Sequence, residues 1–229
     1  ILFSRSLEAD LFETVLFGGG TRLLAWYDFV NCGGGNRFGQ EYRKYCQSSK
    51  AHNVLLLNEK SQCSFGKKPF SRNNSYYYAT DGPANTKLNF ENSITEKIVE
   101  VSHDAYKKDY GMSVNRRLSM DLVYNCVKGQ DSVTPERNDP KKNLIDSSVS
   151  LYFHVHPSIS CKKKRNGVLL QIPGDKKMFF TYTGGNLTLE KSTYIGNFFE
   201  PQDITKLVIE NSVQQSESKI NWKIEELID

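Results

Sequence analysis

Residues 149–156, VSLYFHVH, alternate strictly between apolar and polar side chains. Leu151, Phe153 and Val155 fall on one face, with Tyr152, His154 and His156 on the other. Comparable short runs recur along the chain: 54–57 (VLLL), 98–102 (IVEVS), 168–170 (VLL), 178–182 (MFFTY) and 220–224 (INWKI). Gly, Pro, Asn and Asp punctuate them, as in Asn166-Gly167 and Gly174-Asp175. No segment holds a long 3.6-residue apolar period. The pattern predicts an all-β fold, a large antiparallel β-sandwich with few short helices, filling residues 1–229 as one domain.

Several function classes drop out on composition. The 229 residues suffice for a substantial core, and a charged fraction of 24% is that of an ordinary globular chain. A net charge of +4 permits an anionic partner but lacks the strong basic stripe of a nucleic-acid binder. No apolar run approaches the ~20 residues of a membrane span. The five cysteines include no CxxC pair, so they read as mostly free thiols, slightly favouring a reducing compartment, cytoplasmic or periplasmic. The chain opens on Ile1-Leu2-Phe3 rather than Met, and reads as part of a longer protein.

The most distinctive stretch is 29–62. An apolar strand halts at Gly33-Gly34-Gly35, a polar basic loop containing Tyr42-Arg43 follows, and Ala51-His52-Asn53 opens a second apolar run. A second such stretch, 98–120, carries His103-Asp104-Ala105-Tyr106, a turn ending at Gly111, and Arg116-Arg117. Asp104 and Tyr106 are positioned to fix the His103 imidazole. Arg116 and Arg117 point to opposite faces of a strand, so at most one can meet an anionic ligand. His154 and His156 lie about 7 Å apart on one side of their strand, a metal pair that needs a third ligand such as His103. Lys162-Lys163-Lys164-Arg165 precedes Asn166-Gly167 and reads as a solvated hairpin tip, with contact to an acidic glycan as the sharper alternative.

In order, Val30-Asn31-Cys32-Gly33, Ala51-His52-Asn53, Asn58-Glu59-Lys60-Ser61, His103-Asp104-Ala105-Tyr106, Gly129-Gln130-Asp131-Ser132 and Phe153-His154-Val155-His156-Pro157 resemble the landmarks of the heparinase II/III-like polysaccharide lyases, above all bacterial ones. The resemblance runs from about Leu7 to Trp222 and implies the C-terminal β-sandwich of such a protein, with an N-terminal (α/α) toroid as its partner domain. It implies β-elimination on uronate-containing acidic glycans, with the main base and acid on the toroid. Of this chain, it offers His52, Tyr42 and Arg43 as candidate catalytic residues and His103, Tyr106 and Arg116 as candidate ligand-binding residues.

Two departures weaken the site. Glu8-Ala9-Asp10 stands where the family's His-Ala-Asp is expected, and Asn31 replaces an aspartate. In the family those positions, with the histidine matching His52, hold zinc. The remaining set is degraded, so no cofactor is expected, and the chain alone is expected to be inactive. A non-catalytic carbohydrate-binding or structural module is the alternative. The sequons at Asn73 and Asn186, with the tyrosine content, leave a viral or secreted surface domain as a third reading.

Overall fold

The computed structural model describes residues 38–67, 77–124, 126–135, 147–195, 200–213 and 217–227. The expected N-terminal hairpin, Glu8-Ala9-Asp10, Asn31 and most of the 134–143 loop lie outside them. Among the described residues fourteen strands run in order: β1 (Leu55–Leu57), β2 (Ser64–Lys67), β3 (Tyr77–Asp81), β4 (Thr86–Asn92), β5 (Glu96–His103), β6 (Met112–Asp121) and β7 (Cys126–Pro135). Then come β8 (Ser147–His154), β9 (Ser160–Lys164), β10 (Gly167–Ile172), β11 (Lys176–Thr183), β12 (Asn186–Tyr194), β13 (Gln202–Val213) and β14 (Ser218–Glu226).

Two antiparallel sheets dominate. The smaller has the order β1-β8-β13-β12, and the larger β4-β5-β6-β7-β14-β11-β10-β9. One apolar cluster fills the space between them. Leu55, Leu57, Val149, Leu151, Phe153, Leu207 and Ile209 come from the small sheet. Val114, Leu118, Val168, Phe180, Ile220 and Trp222 meet them from the large one. These are the inward members of alternating strands, so burying one face of each sheet against the other is the main stabilising term. The expected β-sandwich is the fold observed.

Alternation decides the faces. On β6 the side chains of Met112, Val114, Arg116, Leu118 and Met120 are buried while Arg117 is exposed. On β8, Leu151 and Phe153 enter the core, and Tyr152 joins Val54, Leu56 and Val208 in a second cluster on the far side of the small sheet. The expected hairpin joins β9 to β10, but its turn residues are Arg165 and Asn166, one position earlier than the Asn166-Gly167 pair, and Gly167 is already paired to Lys164 as the first residue of β10.

The polar loop expected after the triglycine contains a helix. α1 (Gln40–Gln47) starts after Gly39, whose φ of 98° favours glycine. Its signal is short: Phe38, Tyr42, Tyr45 and Cys46 recur at three- and four-residue spacing and pack towards Ile195 beyond β12. Tyr45 Oη also lies 3.0 Å from Ser192 Oγ on β12. A 3-10 turn, Ser49–Ala51, leads on to β1, and Ser48 Oγ accepts from Lys50 N. The 107–111 turn holds a four-residue helix, α2 (Lys107–Tyr110), closed by Gly111 at φ 67°.

Candidate functional site

His52 follows the 3-10 turn, and its ring is fixed by the main chain. Nε2 lies 2.8 Å from the Cys46 carbonyl oxygen in the last turn of α1. A carbonyl oxygen only accepts, so Nε2 carries a proton. The same helix carries Tyr42 and Arg43, both half-buried. The three catalytic candidates therefore share one local unit. Ser49 couples that unit to the turn after β1, accepting from Gln62 N at 2.9 Å while its own N–H donates to Ser61 Oγ.

The neighbouring residue, Asn53, bridges the sheets. Its Oδ1 accepts from His154 N at 2.7 Å, and its backbone carbonyl accepts from Arg116 at 2.6 Å. His154 is buried, and burial followed by the nearby Lys206 and His52 charges pushes its pKa down to about 3. It is a neutral imidazole at physiological pH.

The far face of the small sheet carries a polar cluster beside this unit. Tyr152 Oη donates to Glu59 Oε2 at 2.5 Å, Lys50 Nζ lies 3.0 Å from the same oxygen, and Lys206 Nζ sits 4.0 Å over the Tyr152 ring. Burial opposes the Glu59 carboxylate, but hydrogen bonds from Tyr152 and Ser150 and the Lys50 ammonium outweigh it and hold the carboxyl below its usual range. Burial, then Glu59, raises the Tyr152 phenol. Glu59 has φ 56° and Asn58 φ 49°, a left-handed pair in the turn after β1. Sequence reading noted this turn but missed its role. The signal was Asn58 directly after the apolar run 54–57, a residue type that tolerates the left-handed turn.

The ligand-binding candidates lie inside the fold. Tyr106 is wholly buried and donates to the Lys60 carbonyl at 2.6 Å. Arg116 is 8% exposed, with Nε donating to Asp131 Oδ1 at 2.6 Å. Trp222 Nε1 donates to the other Asp131 oxygen at 2.8 Å. Arg116 therefore ties the sheets together, and Arg117 is the outward member of the pair. Burial, then Arg116, lowers the His103 pKa to about 4. The expected His-Asp-Tyr cluster does not form. Asp104 instead accepts from Ala84 N, Asn85 N and the Asn85 side chain. Its sequence adjacency to His103 points it to the other side of the chain.

The H-x-H pair separates. β8 ends at His154, while His156 turns towards Ser158 Oγ at 2.8 Å and packs edge-on against Tyr194. Among the described residues no three His, Cys, Asp or Glu side chains are grouped as metal ligands would be. The His52 geometry, with one ring nitrogen donating to a carbonyl, is that of many metal-binding histidines. One imidazole is too few to hold zinc, and the other positions that the resemblance names for the ion, Glu8 and Asn31, lie outside the described residues. Cys126 and Cys161 are free thiols. No helix among the described residues is long and apolar enough to cross a membrane.

Comparison with known proteins agrees with this architecture. A heparan sulfate lyase HepC from Pedobacter heparinus superposes with a TM-score of 0.61 at 9% identity, over 82% of this chain and 26% of that one. A heparinase III gene product superposes with a TM-score of 0.64 at 12% identity, over 87% of this chain and 28% of that one. FtsZ-localized protein C of Caulobacter vibrioides is 23% identical over 155 residues, 64% of this chain and 26% of its own length. The chain thus spans about a quarter of each. The family description "Heparinase II/III-like, C-terminal" matches residues 9–223, and with that match the chain belongs to the heparinase II/III-like family, whose C-terminal domain it matches.

Proposed function

We propose that this chain is the sandwich half of a lyase that cleaves uronate-containing acidic glycans by β-elimination, and that it works only with an N-terminal toroid domain. The observation that carries the reading is the His52 unit: an imidazole locked by the Cys46 carbonyl on the helix that bears Tyr42 and Arg43. β-Elimination removes the C5 proton, neutralises the adjacent carboxylate and protonates the leaving glycosidic oxygen. In this reading Arg43 neutralises the uronate carboxylate, as guanidinium forks do. His52 accepts a proton or hydrogen bond at Nδ1, and Tyr42 lines the cleft. The principal base and acid come from the partner domain. Glu8 replaces the expected histidine, which supports inactivity of this chain alone.

The test uses the full-length protein on heparin, alginate and chondroitin, following the ultraviolet absorbance of the unsaturated uronate product. Product on at least one glycan, lost in His52→Ala and Arg43→Ala, is the expected result. No product on any of the three overturns the lyase reading. A non-catalytic module is the second reading, favoured by Glu8 and by a relative named for FtsZ rather than for a glycan.

A further inference from the structure

We propose that the outward face of the eight-stranded sheet is a separate binding site for an anionic oligosaccharide. It lies on the side of the sandwich away from His52, and it requires no turnover there.

A groove of about 420 Å³ crosses β6, β7, β14 and β11 on this face. Strand register sets its outward residues in two rows. Arg117, Gln130, Asn221 and Thr183 are successive cross-strand partners in the first. Ser119, Lys128, Lys223 and Thr181 are successive partners in the second. Neighbouring strands stand about 4.8 Å apart, so each row is ~14 Å long.

The charge pattern is costly without a ligand. Lys128 lies directly opposite Lys223, and Arg117 is diagonal to Lys128. Like charges opposite one another destabilise a sheet. Glu100 on β5 stands directly opposite Arg117, and Glu225 offsets part of the rest, with its Oε2 2.5 Å from Lys223 Nζ. Both members of that pair are 37% exposed, so the contact is weak and exchangeable. An anion along the second row would relieve the repulsion.

The remaining groups suit a chain rich in hydroxyls. Gln130 Nε2 donates to Asn221 Oδ1 at 2.8 Å, and Asn221 Nδ2 reaches Thr183 Oγ1 at 3.4 Å, so the amides are already oriented. With Ser119 and Thr181 they present donors and acceptors between the cations. The aromatic side chains at the groove, Tyr182 and Trp222, are stacked on the core residue Phe180. They are thus not free to stack on bases as a single-stranded nucleic acid requires. The same face continues to exposed Lys162 and Lys164 on β9, opposite Leu169 and Gly167. The basic hairpin therefore extends the cationic surface.

The experiment measures fluorescence anisotropy of labelled polygalacturonate and heparin oligosaccharides, neutral dextran and single-stranded DNA with the full chain. The expected result is salt-sensitive binding of at least one anionic glycan and none of dextran. Lys128→Gln/Lys223→Gln, which removes the cross-strand repulsion and so should fold, is expected to bind about tenfold more weakly, ~1.4 kcal/mol. His52→Ala is expected to bind like the unmodified chain, which separates this site from the lyase reading. Failure to bind either anionic glycan, equal binding of dextran or DNA, or unchanged affinity in the double variant overturns the proposal.

Discussion

The indole of Trp222 occupies the space that a side chain on Gly129 would fill: a Cβ built there would lie 2.0 Å from Trp222 Cε2. That close approach across β7 and β14 lets the indole reach Asp131, two residues further along β7, while it packs against Phe153 and Phe180. Gly129→Ala is expected to shift the indole, strain its bond to Asp131 and cost ~1–3 kcal/mol as overpacking does. Urea unfolding followed by tryptophan fluorescence would read both the lost stability and the changed indole environment.

Arg116→Met removes one partner of a buried ion pair and leaves the Asp131 carboxylate fully enclosed. Breaking such a pair from one side costs ~3–5 kcal/mol. Asp131→Asn alone is also expected to destabilise. The double variant is expected to lose less than the two single losses combined, because neither charge is then stranded. Denaturant titration of all four proteins checks this, and simple additivity would show that the pair is not coupled.

His103 and His154 have folded-state pKa values of about 4 and about 3, against an ordinary value of 6.5. On acidification the unfolded chain takes up these protons first, so stability rises with pH in this range. The contribution is fully present above about pH 6.5 and is lost progressively as pH falls towards about 4. His103→Leu is expected to flatten that acid limb, measured as melting temperature against pH. An unchanged slope would count against a buried neutral imidazole at 103.

Tyr152→Phe deletes the hydrogen bond to Glu59. Its expected cost is about 1 kcal/mol, at the low end for a charged acceptor because the Glu59 side chain is 41% exposed. Glu59→Gly loses the same bond but relieves a left-handed non-glycine residue, worth roughly 1–2 kcal/mol. It is therefore expected to lie closer to the unmodified protein than Tyr152→Phe does. Chemical denaturation of the two variants side by side decides the order.

The sequence by itself determined the strands, their faces and several of their turns. Alternation at 149–156 and the existence of a hairpin around Asn166 are local properties, legible because successive side chains of a strand must point to opposite sides and Asn favours tight turns. It also indicated that Arg116 and Arg117 would part company, without telling which would turn inward. Only the tertiary structure decided that Arg116 enters the core, because its partner Asp131 and the Asn53 carbonyl lie 15 and 63 residues away in sequence. The Trp222–Asp131 bond spans 91 residues. Strand register likewise assembled Lys128, Lys223 and Arg117 on one face, and set His103 apart from Asp104. A polar side chain's role is fixed by what the opposing strand or sheet brings to it, and the packing of distant segments, not the local period, supplies that neighbour.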